Sequence, residues 1–222
     1  MNSASVAAVL LQAGILATLV EAARQRNVAA AVNALVALAA ALLPWTLGLV
    51  TGLAVGPVLP LWLGVAGLLH AVGMLGPYDT VSWWDHLTHF VSASLLAALA
   101  HAGVVVGYAG TASDAGIATV TVLFTVAAGV LWELVELVAR ELGDQFDIEP
   151  VLVHYGWTDT VLDLGFDLAG AVLVVGLDLR VFVPVVEQVV GPTRRLVVWS
   201  GVAVVGGAAS LTLVVSGLCL SR

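Results

Sequence analysis

The chain has 222 residues, 61% of them hydrophobic and 10% charged, with a formal net charge of −8. Soluble domains carry about 25% charged residues, so the composition excludes a soluble globule and points to an integral membrane protein. The acidic balance (pI near 4.8) and the absence of lysine exclude a nucleic-acid surface. The same acidic, lysine-free, Ala/Val-rich composition suggests an extreme halophile.

Seven apolar runs of about 20 residues fit bilayer-spanning helices, which need roughly 17 to 25 residues. The first, residues 4–20, closes on Glu21, Arg24 and Arg26, where Glu21 and Arg24 can pair at i,i+3. It lacks a basic leader and a small-residue cleavage pattern, and so reads as a retained span. The second, 28–50, contains Pro44, a kink that neighbouring helices tolerate. After a Gly/Pro turn over 52–60, the third run, 60–75, carries His70, read as a hydrogen-bonded packing residue, and Gly76-Pro77 ends it. The fourth, 84–106, opens with Asp85, His86 and His89 and places His101 near the opposite face of the membrane. A polar turn over 107–116 leads to the fifth, 117–142, with Glu133 and Glu136 near its end. The longest polar connection, 143–158, holds Asp144, Asp147, Glu149, Pro150, His154, Tyr155 and Trp157, a composition suited to the headgroup region. The sixth run, 159–179, carries Asp159, Asp163 and Asp167. A connection with Asp178, Arg180, Arg194 and Arg195 precedes the seventh, 196–218, which has no ionisable group. Its single cysteine, Cys219 just beyond, rules out an intrachain disulfide.

The predicted fold is therefore all-α: a polytopic transmembrane helix bundle of about seven spanning helices, multi-pass in the cell membrane. Strands are excluded because backbone groups in lipid must be satisfied within the segment or in a closed barrel. One integral membrane domain is expected over residues 1–222, with a polar core module over about 77–174. Arg24, Arg26, Arg140 and Arg222 fall on one side and Arg180, Arg194 and Arg195 on the other, so the positive-inside rule leaves orientation open. The first loop favours a cytoplasmic polar cluster.

Consecutive spans run antiparallel, so the start of the fourth, the end of the fifth and the start of the sixth meet at one side. Asp85, His86 and His89 lie at helical spacings of three and four, Glu133 and Glu136 at i,i+3, and Asp159, Asp163 and Asp167 at i,i+4,i+8. The last three drift only about 40° per step around a helix. An ionisable group at such depth costs on the order of 2.5–3.5 kcal/mol on insertion scales, and no arginine lies within these spans to neutralise the acids. A divalent cation, shared protons, or both would resolve the excess charge. The expected metal ligands are His86, His89, Glu133, Asp163 and Asp167. Histidine with carboxylates suits zinc, iron or manganese, and carboxylates with water suit magnesium or calcium. Glu136 or Asp159 would serve as general base for a metal-bound water in a hydrolase or transferase acting on a lipid headgroup, with membrane lipid and a lipid-linked substrate as partners. No standard metal motif, nucleophile elbow or phosphate-binding glycine loop is present. Two alternatives stay open. A proton or metal-ion transporter needs polar groups that continue across the membrane, whereas the sixth run turns apolar between Asp167 and Asp178. A structural polar network would pair the acids and histidines off as hydrogen-bonded couples.

Trp84-Asp85-His86-Leu87-Thr88-His89-Phe90, then Trp132-Glu133-Leu134-Val135-Glu136, then Asp159-Thr160 through Asp163 and Asp167 to Gly170 resemble segments of the YjdF-like family of multi-helix membrane proteins. Members of that family show a Tyr-Asp…Gly-His-Phe segment, a glutamate-bearing helix and an Asp-Thr-x-x-Asp segment. The order is more distantly similar to VanZ-like membrane proteins, which have Asn where this chain has Asp167. The resemblance implies a helical membrane fold with a shared polar site, and its VanZ side points toward envelope or lipid-linked chemistry.

Overall fold

The computed structural model describes residues 3–146, 151–152 and 155–220. Among them there is no strand. The helices are α1 (Ser3–Gln25), α2 (Val28–Thr51), α3 (Val58–Gly73), α4 (Pro77–Thr80), α5 (Trp84–Gly107), α6 (Asp114–Phe146), α7 (Trp157–Gly176), α8 (Val183–Val186) and α9 (Val190–Leu220), with a 3-10 turn at Glu187–Val189. The protein is an all-α, multi-pass membrane protein. Five helices, α1, α2, α5, α6 and α9, are long and apolar enough to cross a membrane. The two other predicted spans are helical but weaker. With 16 residues, α3 rises about 24 Å against a hydrocarbon core of about 30 Å, and α7 is interrupted by its three aspartates.

Two boundaries differ from the sequence reading. The 33 residues of α6 extend about 50 Å, so Asp114 and the stretch to Phe146 are helical rather than parts of connections. Likewise, α9 starts ahead of Arg194 and Arg195. Apolar runs mark only the part of a helix that lies in hydrocarbon, and these polar ends continue the backbone hydrogen bonding beyond it. Asp147, Glu149, Pro150 and His154 of the expected connection lie outside the described residues.

The chain forms two compact units, residues up to 88 and residues from 89 onward, and α5 begins in the first and continues in the second. In the first unit α1, α2 and α3 pack pairwise. Asn27 starts α2, its side-chain oxygen accepting from the Ala30 N–H at 2.8 Å. Buried Ala34, Ala37 and Ala41 recur at three- and four-residue steps and meet Ile15 and Ala71. Gly64 and Gly67 of α3 lie where an added Cβ would come within 3.0 Å of Leu11 and 3.1 Å of Ala37, the close approach that small residues permit between membrane helices. The Tyr78 hydroxyl lies 2.7 Å from His70 Nδ1, so His70 is a hydrogen-bonded packing residue as its sequence context predicts. On the first turn of α5, buried Thr88 donates to the Asp85 carbonyl at 2.7 Å and lies 3.3 Å from its carboxylate.

In the second unit α6 packs against α7 and α9, and glycines set how closely α5 approaches its neighbours. A Cβ on Gly170 of α7 would lie 2.8 Å from the Phe90 carbonyl oxygen and 2.7 Å from Ser94 Oγ. One on Gly107 of α5 would lie 3.3 Å from the Arg194 Cα of α9.

Candidate intramembrane histidine–carboxylate site

In the second unit α6 and α7 each bring buried polar groups to one face by periodicity. On α6 the buried residues Ile117, Thr121, Thr125, Gly129 and Glu133 recur every fourth position, with Glu136 three further on. On α7 the buried stripe is Thr160, Asp163, Asp167, Gly170, Ala171 and Val174. Spacings of three and four place such residues above one another on a helix. From α5 comes His89, 5% exposed.

His89 stands between two carboxylates. Its Nδ1 lies 3.2 Å from Asp167 Oδ1, and its Nε2 lies 3.7 Å from Glu133 Oε1. The other oxygen of Glu133, Oε2, accepts from the Thr160 hydroxyl at 2.7 Å. His89 and Asp163 present ligand atoms within 4.8 Å of each other, as do Asp163 and Asp159, and each of these two pairs belongs to a separate histidine–aspartate group that could hold a metal ion. All but half-buried Asp159 are buried. Charged groups are costly in such a setting unless paired or bound to a cation. Asp167 Oδ2 has no hydrogen-bond partner among the described residues. It rests against Gly129 of α6, where any Cβ would collide with it. The absent side chain is what lets the carboxylate reach the backbone of the neighbouring helix.

A family model described as predicted membrane protein (DUF2238) matches residues 6–183. The chain belongs to the DUF2238 family. No curated protein and no solved structure matches it. In this DUF2238 protein every residue of the site falls inside the matched region, whereas α9 lies beyond it.

Of the residues singled out in the sequence, the second unit thus brings together His89, Glu133, Asp163 and Asp167, with Asp159 beside Asp163. Glu136 sits one turn along α6 and accepts from the Trp132 indole N–H at 2.7 Å. His86 and Asp85 are half-buried on the first turn of α5, within the first unit. Four contributors are given no role by the sequence. Thr160 was seen only as part of a motif, Gly129 lay in an apolar run, and Thr121 and Thr125 passed as neutral residues. The four-residue recurrence of Thr121, Thr125, Gly129 and Glu133 was the available clue.

A second polar cluster lies farther along the same unit. His101 is twelve residues beyond His89 on α5, about 18 Å at 1.5 Å per residue. Its Nε2 lies 3.0 Å from Asp178 Oδ1, and the Thr121 hydroxyl is 3.5 Å from its Nδ1. Arg180 Nε donates to both oxygens of Asp178 at 2.9 Å. Hydrogen bonds from Arg180 first, and then from His101, hold the Asp178 carboxyl below the ordinary aspartate range. A cavity of about 390 Å³ opens here, lined among others by His101, Asp114, Asp178 and Arg180. Between the two clusters α7 is apolar as its sequence predicts, but buried polar groups continue on α6 through Thr125 and Thr121.

Proposed function

We propose that this membrane protein holds a divalent transition metal among α5, α6 and α7, with His89 Nε2, Glu133 Oε1 and Asp163 as ligands. The observation that carries this reading is the 3.7 Å gap between His89 Nε2 and Glu133 Oε1. It is too long for a hydrogen bond of 2.7–3.2 Å. Two donors each about 2.1 Å from one ion, at ordinary coordination angles, stand roughly 3.0–3.7 Å apart. Asp167 then acts through His89: its carboxylate accepts from Nδ1–H, fixing the tautomer that leaves Nε2 as the donor atom. Thr160 does the same for Glu133 by holding Oε2 and leaving Oε1 forward. His86 lies one turn earlier on α5 and belongs to the same sequence segment.

The reaction class that best suits this donor set is hydrolysis or group transfer on a lipid headgroup. A bound metal would supply an acidified water or a polarised phosphoryl oxygen. Of the two candidate bases, Asp159 is the better placed, being half-buried beside Asp163, whereas one oxygen of Glu136 is held by Trp132. The more distant likeness of these segments to VanZ-like proteins supports lipid-linked chemistry.

Elemental analysis tests the metal directly. Wild-type protein purified without chelator should carry about one equivalent. His89→Ala and Asp163→Asn should each lose it while keeping their helicity and elution volume. Asp167→Asn should weaken metal binding by about 10- to 100-fold, as expected for a residue that orients a ligand. Metal absent from wild type, or retained in both ligand variants, returns the site to a structural polar network.

A second reading, a proton pathway, is supported by the hydroxyl ladder of Thr125 and Thr121 leading to His101. It requires metal-free protein that acidifies vesicles, with the flux lost in His101→Ala.

A further inference from the structure

Away from both polar clusters, the second unit carries an apolar groove of about 500 Å³ between α5, α6 and α9, within the range of ligand pockets. Leu96, Leu99 and Val104 of α5, Phe124 of α6 and Leu196 and Val204 of α9 are among its walls. It lies along the half of α5 remote from His89, so it is separate from the proposed metal site. We propose that this groove binds one hydrocarbon chain of an anionic phospholipid, whose phosphate is held by Arg194 and Arg195.

Three observations select this occupant. The first is length. The α9 wall runs from Thr193 to Val205, about 18 Å at 1.5 Å per residue, and one leaflet of a hydrocarbon core of about 30 Å is about 15 Å thick. The groove therefore matches the reach of a lipid chain from the interface toward the bilayer centre. The second is charge. Arg194 and Arg195 follow Thr193 at the interfacial end, both exposed, and neither makes an ion pair among the described residues. Arg180 is already engaged by Asp178. Arginine forks suit phosphate oxygens. The third is positioning. The Arg194 guanidinium lies over the Tyr108 ring, 5.0 Å from its centroid, and its backbone is seated against Gly107, which places the charge at the mouth rather than leaving it to swing in solvent. The apolar window of α9 contributes no buried residue, so its groove-facing side chains meet lipid from the outset.

The test uses the full-length protein in nanodiscs of mixed phosphatidylglycerol and phosphatidylcholine, with retained lipid read by native mass spectrometry. Wild type should retain phosphatidylglycerol in preference to phosphatidylcholine by tenfold or more, since each arginine near a membrane surface contributes appreciably to anionic lipid attraction. The double variant Arg194→Ala/Arg195→Ala should bring the two lipids to parity. Gly201→Phe should reduce retention of both, because Gly201 lines the groove and its Cβ would meet open space. The variant therefore fills the groove without a backbone clash, and unchanged thermal stability would verify that. Equal retention of the two lipids by wild type, phosphatidylglycerol preference that survives Arg194→Ala/Arg195→Ala, undiminished retention in Gly201→Phe, or a cross-linked dimer in which a second chain fills the groove would each overturn the proposal.

Discussion

Gly170→Ala is the sharpest test of how the site is held. The added Cβ would lie 2.8 Å from the Phe90 carbonyl oxygen, 3.0 Å from the Ser94 amide nitrogen and 2.7 Å from Ser94 Oγ. Two of these three are backbone atoms that cannot rotate away. Restoring ordinary contact of about 3.5–4.0 Å requires α7 to move off α5 by several tenths of an ångström. Overpacking of this kind costs about 1–3 kcal/mol, and in a chain of this size each kcal/mol lowers Tm by about 2–4 °C. The His89–Asp167 contact, at 3.2 Å, lies one turn from Gly170 and would be stretched toward the limit of a hydrogen bond. Gly165→Ala on the same helix is the control. Its Cβ meets nothing within 4 Å, so only the gain of about 1 kcal/mol in helix propensity should appear. Thermal unfolding in detergent, followed by size-exclusion, should therefore move in opposite directions for the two variants. If Gly170→Ala melts at or above the wild-type temperature, glycine contact does not set the α5–α7 spacing and the account of the site fails with it.

Thr160→Val removes the hydroxyl donor to the buried Glu133 Oε2. A destabilisation of about 1–3 kcal/mol should appear in the same melting assay. Asp178→Asn isolates charge, because asparagine tolerates the positive φ of 46° at this position. The Asp178 carboxyl titrates below its ordinary value, so its stabilisation is fully present above the unfolded pKa near 3.9 and is lost as pH falls through the depressed native value. The wild-type and Asp178→Asn melting temperatures should differ above about pH 5 and converge in strong acid, as linkage requires. A gap that widens below pH 4 would refute the pairing. Asn27→Ala removes the cap of α2 and should cost about 1 kcal/mol, measured in the same way.

The long helices were legible because hydrocarbon thickness imposes run length, and the runs that carry His70 and open at Asp85 end close to where their helices do, whereas the run around Glu133 stops short of both ends of α6. The convergence of His89, Glu133 and Asp163 followed from antiparallel order and spacing alone. Atomic roles did not. In lipid a helix is apolar on every face, so hydropathy cannot say which side points inward. The rotation of α7 that sets Asp167 on His89 Nδ1 depends instead on Gly129 and Gly170, where the decisive property is a missing side chain. Continuation of polar groups toward His101 was hidden for a similar reason. It runs along α6 through two threonines whose hydroxyls bond their own helix, and so it passes as neutral in a hydropathy scan.

The three aspartates of α7 bear on how the chain enters the membrane. At about 2.5–3.5 kcal/mol each, they oppose partitioning of this helix by more than its leucines and valines, at about 0.3–0.6 kcal/mol each, can supply. It also lacks the apolarity of the five clear spans. The partners that satisfy it, His89 of α5 and Glu133 with Thr160 across the α6–α7 contact, are synthesised earlier or within it. The translocon should therefore release α7 poorly when it is alone and well when α5 and α6 already wait beside it. The polar site doubles as an order of assembly, in which the last inner helix enters bilayer only by finding a place prepared for its charges.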